Sequence, residues 1–298
     1  MYTSEDKVAV VTGAAGFAGM NLVEALLAAG YFVYAVVRIG SAHNVRLAGC
    51  ARVRVVPCDL SELACLTEKM PLLPGAVFFH LAWQGARDDF AAQYANIADT
   101  IAAIEAAARL QCRRFLCTGS QAEYGLQKNL TTEETLPSPS TAYGAAKLAA
   151  CYLSRRRAQQ LGVEWVWGRI FSLYGKYEPG TTLLGYLAAA LKKGETPRLT
   201  MAQQNWDYLY GADAGEALLA LAERAHSGNI YNIAQGQYRP LREFIAQMKM
   251  AFAPDAEIDY GGESREIVSL QPSVAKIQRD TGWQARTTFA DGIRMAYR

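Results

Sequence analysis

The chain has 298 residues, 51% of them hydrophobic and 19% charged, which is ample apolar material for a large buried core and too apolar for disorder. Its 30 Lys and Arg nearly cancel its 28 Asp and Glu and are scattered, so no basic face is available to a nucleic-acid backbone or an anionic membrane. Apolar stretches such as residues 183–191 reach about half of the roughly 20 residues a bilayer span needs, and residues 1–6 lack a signal-peptide pattern, so a cytoplasmic protein is expected.

Taken in chain order, a β-type run at residues 7–12 leads into an Ala- and Leu-rich helix at 16–29 and a second strand at 31–37. Strand-like runs follow at 52–56, 76–79, 114–117 and 163–170, with a long helix at 90–110 and another opening at Tyr143. Strands that are apolar throughout and alternate with helices predict a parallel sheet covered on both faces. Beyond Ile170 the rhythm breaks at Gly175, Pro179, Gly180, Gly194 and Pro197, and regular helices return at 213–225 and 241–251. A Gly- and Glu-rich loop and two short helical patterns complete the chain. The predicted class is α/β: a Rossmann-type doubly wound parallel sheet (1–171 plus 206–228) with a smaller C-terminal α/β substrate lobe (172–205 plus 229–298).

The first strand runs into Thr12-Gly13-Ala14-Ala15-Gly16-Phe17-Ala18-Gly19 and then a helix, which is the context of a phosphate cradle. Glycines permit the tight turn and the close backbone approach, and the helix N-terminus offers free N–H groups to a pyrophosphate. The second strand ends Val37-Arg38, where a carboxylate would grip the adenosine ribose in an NAD-preferring fold. Val37 removes repulsion of a 2′-phosphate, Arg38 can pair with it, and Ser41 is a second donor, so NADP(H) is expected in preference to NAD(H). At the other end of the site, Thr118-Gly119-Ser120 closes an apolar strand and Tyr143-Gly144-Ala145-Ala146-Lys147 opens a helix. This spacing puts Tyr143 and Lys147 on one helical face, where the ammonium favours the phenolate and the tyrosine can exchange a proton with an alcohol or carbonyl oxygen. Ser120 can hydrogen-bond the same oxygen.

Six cysteines (Cys50, Cys58, Cys65, Cys112, Cys117, Cys151) lack C-x-x-C spacing and three histidines (His43, His80, His226) are far apart, so free buried thiols and no metal are expected.

On these motifs the chain resembles the extended short-chain dehydrogenase/reductases, the nucleotide-sugar epimerase, dehydratase and reductase family, over essentially its whole length. Matching segments include Cys58-Asp59-Leu60, His80-Leu81-Ala82-Trp83, Thr118 to Gly125, Gly168 to Gly175 and Trp206 to Tyr210. The resemblance implies Ser120, Tyr143 and Lys147 as the catalytic set. It implies cofactor contacts from Gly13, Gly16, Phe17, Ala18, Gly19, Asp59, Leu60, Leu81, Ala82, Trp83, Thr118 and Ile170, with Lys147 reaching the nicotinamide ribose. His80 is expected to be structural. The helix at 90–110, with Asn96 and Thr100, is expected to form a homodimer face.

Departures from the family pattern narrow the chemistry. Sugar dehydratases carry an Asp-Glu pair after the catalytic Thr, whereas this chain has Gln121-Ala122, which disfavours dehydration unless Glu123 substitutes. Epimerases generally have an acidic second-strand end and often an Arg at the Trp206 position. Here the diphosphate grip passes to Arg198 or Arg265, with Ser120, Gln121, Phe171, Ser172, Lys176, Asn205 and Trp206 as further substrate contacts. The expected activity is NADPH-dependent reduction of a nucleoside-diphosphate 4-keto-6-deoxyhexose. The alternatives are an NAD(P)-dependent nucleotide-sugar epimerase and a non-catalytic NADP-sensing module.

Overall fold

Alternating side-chain directions along the apolar strands divide the core of the sheet into two layers. The computed structural model describes residues 7–262 and 268–297. In it, β1 (Val8–Thr12) leads through the glycine turn into α1 (Phe17–Ala28) and β2 (Phe32–Val37). A 3-10 turn (Ala42–Leu47), β3 (Val53–Pro57), a second 3-10 turn (Leu60–Cys65), the single-turn α2 (Leu66–Lys69) and β4 (Val77–His80) follow. Then come α3 (Phe90–Arg109), β5 (Arg114–Ser120), a 3-10 turn (Gln121–Glu123), α4 (Ala142–Leu161) and β6 (Glu164–Ile170). Ala9 and Val11 of β1 face a core shared with Leu22 and Leu26 of α1, whereas Val10 faces the opposite core with Ile104 of α3 and Ala150 of α4. Both faces of the sheet are therefore covered, which is why its central strands read as continuous apolar runs.

After β6 the elements shorten to β7 (Ser172–Tyr174), α5 (Leu183–Lys193), β8 (Asn205–Trp206) and β9 (Tyr208–Tyr210). The chain continues through α6 (Gly211–Arg224), β10 (Asn229–Ile233), β11 (Arg239–Pro240), α7 (Leu241–Phe252), α8 (Ala275–Thr281) and α9 (Phe289–Tyr297). Seven parallel strands form one sheet in the order β10-β6-β5-β4-β1-β2-β3. The winding reverses between β1 and β4, and an open α/β sheet binds ligands in the crevice at the strand C-termini there. The expected boundary at 228 moves, because β10 (Asn229–Ile233) completes this sheet alongside β6 instead of joining the small lobe. The small lobe has its own core, in which Leu184 and Leu187 of α5 meet Phe244, Ile245 and Met248 of α7.

Among the described residues no helix is long and apolar enough to cross a membrane, and no cluster of His, Cys, Asp and Glu could hold a metal ion. The cysteines are unpaired; four are buried, but Cys50 is half-buried and Cys65 is exposed, a correction to the expectation of burial throughout.

Candidate active site

The glycine turn is built by close approach. Gly13 has φ +67°, and a Cβ there would lie 2.8 Å from the backbone N of Ala82. A Cβ at Gly19 would lie 2.1 Å from Gly13 O, so α1 can start this close to the turn only without a side chain. Gly16 caps α1 without a side-chain hydrogen bond, which leaves first-turn N–H groups, including those of Phe17 and Ala18, for a ligand. A cleft of about 640 Å³ opens over the turn, lined by Gly13, Gly16, Phe17, Arg38, Ser41, Asp59, Leu60, Leu81, Ala82 and Trp83. The backbone cradle, the cleft and a cation at the second strand's end fit a dinucleotide.

Arg38 is exposed at the mouth, and Ser41 accepts from His43 N at 3.4 Å, which leaves its hydroxyl proton free to donate. Asp59 Oδ1 accepts Ile39 N–H at 3.0 Å and so fastens the second strand's end to the loop after β3. Sequence reasoning missed several lining residues, chiefly Arg46 and Tyr177. Arg46 donates to Ala15 O at 3.1 Å and its guanidinium lies 5.2 Å from the Tyr177 ring centroid, placing a second cation in the cleft. Nothing in the polar run 41–46 signals this, since the 3-10 turn that brings Arg46 back to the glycine turn is a tertiary feature.

His80 sits at the end of β4 in register with Thr12 of β1. Thr12 Oγ1 accepts Leu81 N–H at 3.2 Å and Ala82 N–H at 3.3 Å, so its own proton goes to His80 Nδ1, 2.9 Å away. Complete burial, with the Lys147 charge adding to it, pushes the His80 pKa down to about 3, and the ring is neutral. It ties two strand ends together below the cleft.

The reacting end depends on α4 meeting the turn after β5. Thr141 caps α4 by accepting Gly144 N–H at 3.1 Å. A Cβ at Gly144 would lie 2.3 Å from Ala122 O, so the glycine in this motif lets the helix carry Tyr143 against the Ser120 turn. Ser120 Oγ accepts Ala122 N–H at 3.2 Å and keeps its proton available. Lys147 is buried and donates to Thr118 O at 2.8 Å. Its ammonium lies 6.0 Å from the Tyr143 ring centroid, and the Arg87 guanidinium lies 5.4 Å from the same ring. Arg87, whose carbonyl accepts Tyr143 N–H at 2.9 Å, carried no sequence signal. The first turn of α4 thus packs on the turn after Ser120, with a buried cation 6.0 Å from the Tyr143 ring centroid.

Glu123 is not a free acid or base. It is fully buried and ion-paired at 2.7 Å with the equally buried Arg169. Its Oε1 accepts Ser120 N–H at 2.8 Å and Trp167 Nε1–H at 3.0 Å. This carboxylate holds the Ser120 turn from behind.

The expected substrate residues fall on several elements. Phe171 is buried against Tyr124, with ring centroids 6.3 Å apart, while Ile170 ends β6 and Ser172 pairs with Tyr208. Gln121 lies in the turn after Ser120. Lys176 is drawn to Glu24 of α1 at 2.7 Å, and Arg198, with its side chain 70% exposed, lies 3.5 Å from Asp259. Both of these cations are partnered away from the Ser120 turn. Arg265 lies outside the described residues. Asn205 N–H is held by Ser269 Oγ at 3.1 Å, and Trp206 Nε1 is a buried donor with no partner. Arg239, missed in the sequence, is the cross-strand partner of Trp206 and keeps a buried Nε without a hydrogen bond.

Asn96 and Thr100 are not on an oligomer face. Both are buried, Asn96 accepts Gln84 N–H at 3.0 Å, and Thr100 bonds its own helix, so this face of α3 holds the loop after β4. The exposed aromatics of α3 are Phe90 and Tyr94.

Three curated relatives span nearly the whole chain. GDP-6-deoxy-D-mannose reductase of Pseudomonas aeruginosa is 27% identical over 95% of this chain and 94% of its own. UDP-glucose 4-epimerase of Mycolicibacterium smegmatis is 27% identical over 95% of each. The NAD(P)-using dTDP-6-deoxy-L-talose 4-dehydrogenase of Kitasatospora kifunensis is 29% identical over 98% of this chain and 95% of its own. A UDP-glucuronic acid 4-epimerase from Bacillus cereus, solved with NAD, superposes with a TM-score of 0.83 at 20% identity over 97% of both chains and shows the same fold. The profile of the NAD dependent epimerase/dehydratase family matches residues 9–234, and the chain, with its glycine cradle and its doubly wound sheet, belongs to that family.

Proposed function

We propose that this enzyme reduces a keto group on a nucleotide-activated sugar, a nucleoside-diphosphate 4-keto-6-deoxyhexose, with NADPH as the preferred cofactor. The observation that carries the reading is the chemistry left at the reacting end. Tyr143 and Ser120 lie on segments that meet beside a buried ammonium, while Glu123 is locked in a buried ion pair and the exposed Asp88 and Asp89 accept backbone N–H groups. Glu123 pairs with Arg169, Asp88 accepts Ala142 N–H at 3.1 Å, and Asp89 accepts Ala92 N–H at 3.1 Å. Water loss needs a separate acid and base, and Glu123, the one candidate for the missing dehydratase pair, is not free to serve as either. A bound nicotinamide dinucleotide would supply the hydride. Tyr143 would then deliver the proton to the carbonyl oxygen, with Ser120 hydrogen-bonded to that oxygen and Lys147 favouring the phenolate that remains. Arg38 and Arg46 at the mouth, with Val37 in place of a carboxylate, support a cofactor that carries an extra phosphate.

The test is a panel of nucleoside-diphosphate 4-keto sugars, each with NADPH or NADH, followed by cofactor oxidation. Tyr143→Phe should lower turnover by about 10²- to 10⁴-fold with cofactor binding kept; unchanged turnover would remove Tyr143 from the mechanism. Nucleotide-sugar epimerisation is the second reading, favoured by the epimerase among the relatives. We also infer a homodimer through α3 and α4, whose Phe90 and Tyr94 are 77% and 80% exposed, with Tyr152 and Leu153 exposed on α4. Sedimentation should then give twice the 32.5 kDa chain mass, and a single-chain mass would refute it.

A further inference from the structure

Lys147 is only 3% exposed, and among the described residues no carboxylate lies within ion-pair distance of its ammonium. A buried charge is costly unless other groups replace the water it has lost. Two groups do so. Thr118 O accepts one N–H at 2.8 Å, and the indole of Trp83 turns its face to Nζ, with the ring centroid 3.6 Å away. The face of an indole is the negative part of its quadrupole, and its attraction for a cation is strongest where water is excluded. The ring is itself fixed. Its Nε1 donates to Gln93 Oε1 at 2.8 Å, and the buried Gln93 amide donates in turn to Ala86 O at 2.8 Å. Tyr143 stands edge-on to the indole at 88°, with ring centroids 6.0 Å apart. The same indole lines the dinucleotide cleft.

We infer that Trp83 is a positioning residue that takes the place of a counter-ion for Lys147. It holds the ammonium between its ring face and Thr118 O, so that the remaining N–H donors point to the cofactor and the reacting oxygen. A carboxylate in the same place would cancel the positive field beside Tyr143 and repel the cofactor's phosphates. A ring face holds the cation without adding a net charge. The inference deepens the reading above and rests on Lys147 as the residue that meets the dinucleotide.

The test is calorimetric titration of the full chain with NADP, Trp83 alone being replaced by mono- to tetrafluorinated tryptophan. Fluorine drains electron density from the ring face and leaves its shape nearly unchanged. The dissociation constant should rise stepwise, reaching about 10- to 30-fold at four fluorines, and the melting temperature should fall in step, because the same ring face offsets the burial of the charge. In a Lys147→Met chain, which binds NADP more weakly to begin with, the same series should be flat to within about two-fold. A flat series in the Lys147 chain, or an equal slope in Lys147→Met, overturns the role of Trp83. Lys147→Met binding NADP as tightly as the unaltered chain overturns the reading of Lys147 itself, and the inference with it.

Discussion

Changing Glu123 to Gln should destabilise the whole molecule, and its size follows from burial. Glu123 and Arg169 are 0% and 1% exposed and 2.7 Å apart, so neutralising one strands the other's charge in the core. Removing one partner of such a pair costs about 3–5 kcal/mol. At about 2.1 cal/mol/K of unfolding entropy per residue, 1 kcal/mol moves the midpoint of this 298-residue chain by roughly 1.6 °C, so Glu123→Gln should melt roughly 5 to 8 °C lower. Turnover of the folded fraction should fall little, because a Gln amide oxygen can still accept the Ser120 N–H and Trp167 Nε1–H that Glu123 Oε1 accepts at 2.8 and 3.0 Å. The double change Glu123→Leu with Arg169→Met should be milder than either single change, since it leaves no stranded charge. Thermal and urea unfolding of Glu123→Gln, Glu123→Leu, Arg169→Met and the double change, each with NADP titration, are the assays. Glu123→Gln that melts like the parent but has lost turnover would refute the argument, make Glu123 a working acid or base, and reopen dehydration.

Three further outcomes follow from the geometry. His80 is held neutral with a pKa of about 3, against about 6.5 in the unfolded chain, so below pH 6.5 the unfolded state takes up a proton that the native state refuses. Its stabilising contribution is complete above pH 6.5, about 2 kcal/mol smaller by pH 5, and lost as pH falls through the folded value; His80→Gln should flatten that slope in urea unfolding, and an unchanged slope would contradict it. Gly19→Ala puts a methyl 2.1 Å from Gly13 O and should abolish detectable NADP binding or prevent folding; parent-like NADP affinity would contradict the cradle. Arg38→Ala should weaken NADPH by about 10- to 100-fold while sparing NADH, and Arg46→Ala should weaken NADPH further in the same direction; equal losses for both cofactors would mean these side chains only pack.

What was legible in the sequence is what local chemistry dictates. The glycine turn, the apolar strands and the Tyr-Lys spacing on one helical face each follow from residues close together in the chain, and the observed sheet is the doubly wound parallel one they predict. β10 was hidden because Asn229 and Asn232 interrupt its apolar pattern. Asn232 is buried, accepting from Tyr124 at 2.7 Å and donating to Thr131 O and Ser273 O at 3.2 Å, so its polarity is satisfied only by distant segments. Glu123 stayed open as a substitute for the missing dehydratase pair because its partner Arg169 lies on another strand. Asn96 read as part of an oligomer face because the loop it holds is irregular, and Thr100 because its hydroxyl bonds back to its own helix. β8 and β11, of two residues each, are too short to carry any periodicity. Arg46, Arg239 and the contact of Trp83 with Lys147 arise only when the chain closes on itself.

The central claim is net reduction at the sugar. Incubation with 4-deuterated NADPH and a nucleoside-diphosphate 4-keto-6-deoxyhexose, followed by mass spectrometry of the sugar, measures it directly. The account predicts one cofactor oxidised for each alcohol formed, with one deuterium at the reduced carbon. A sugar isomerised without net cofactor oxidation would contradict it and assign the chain to epimerisation.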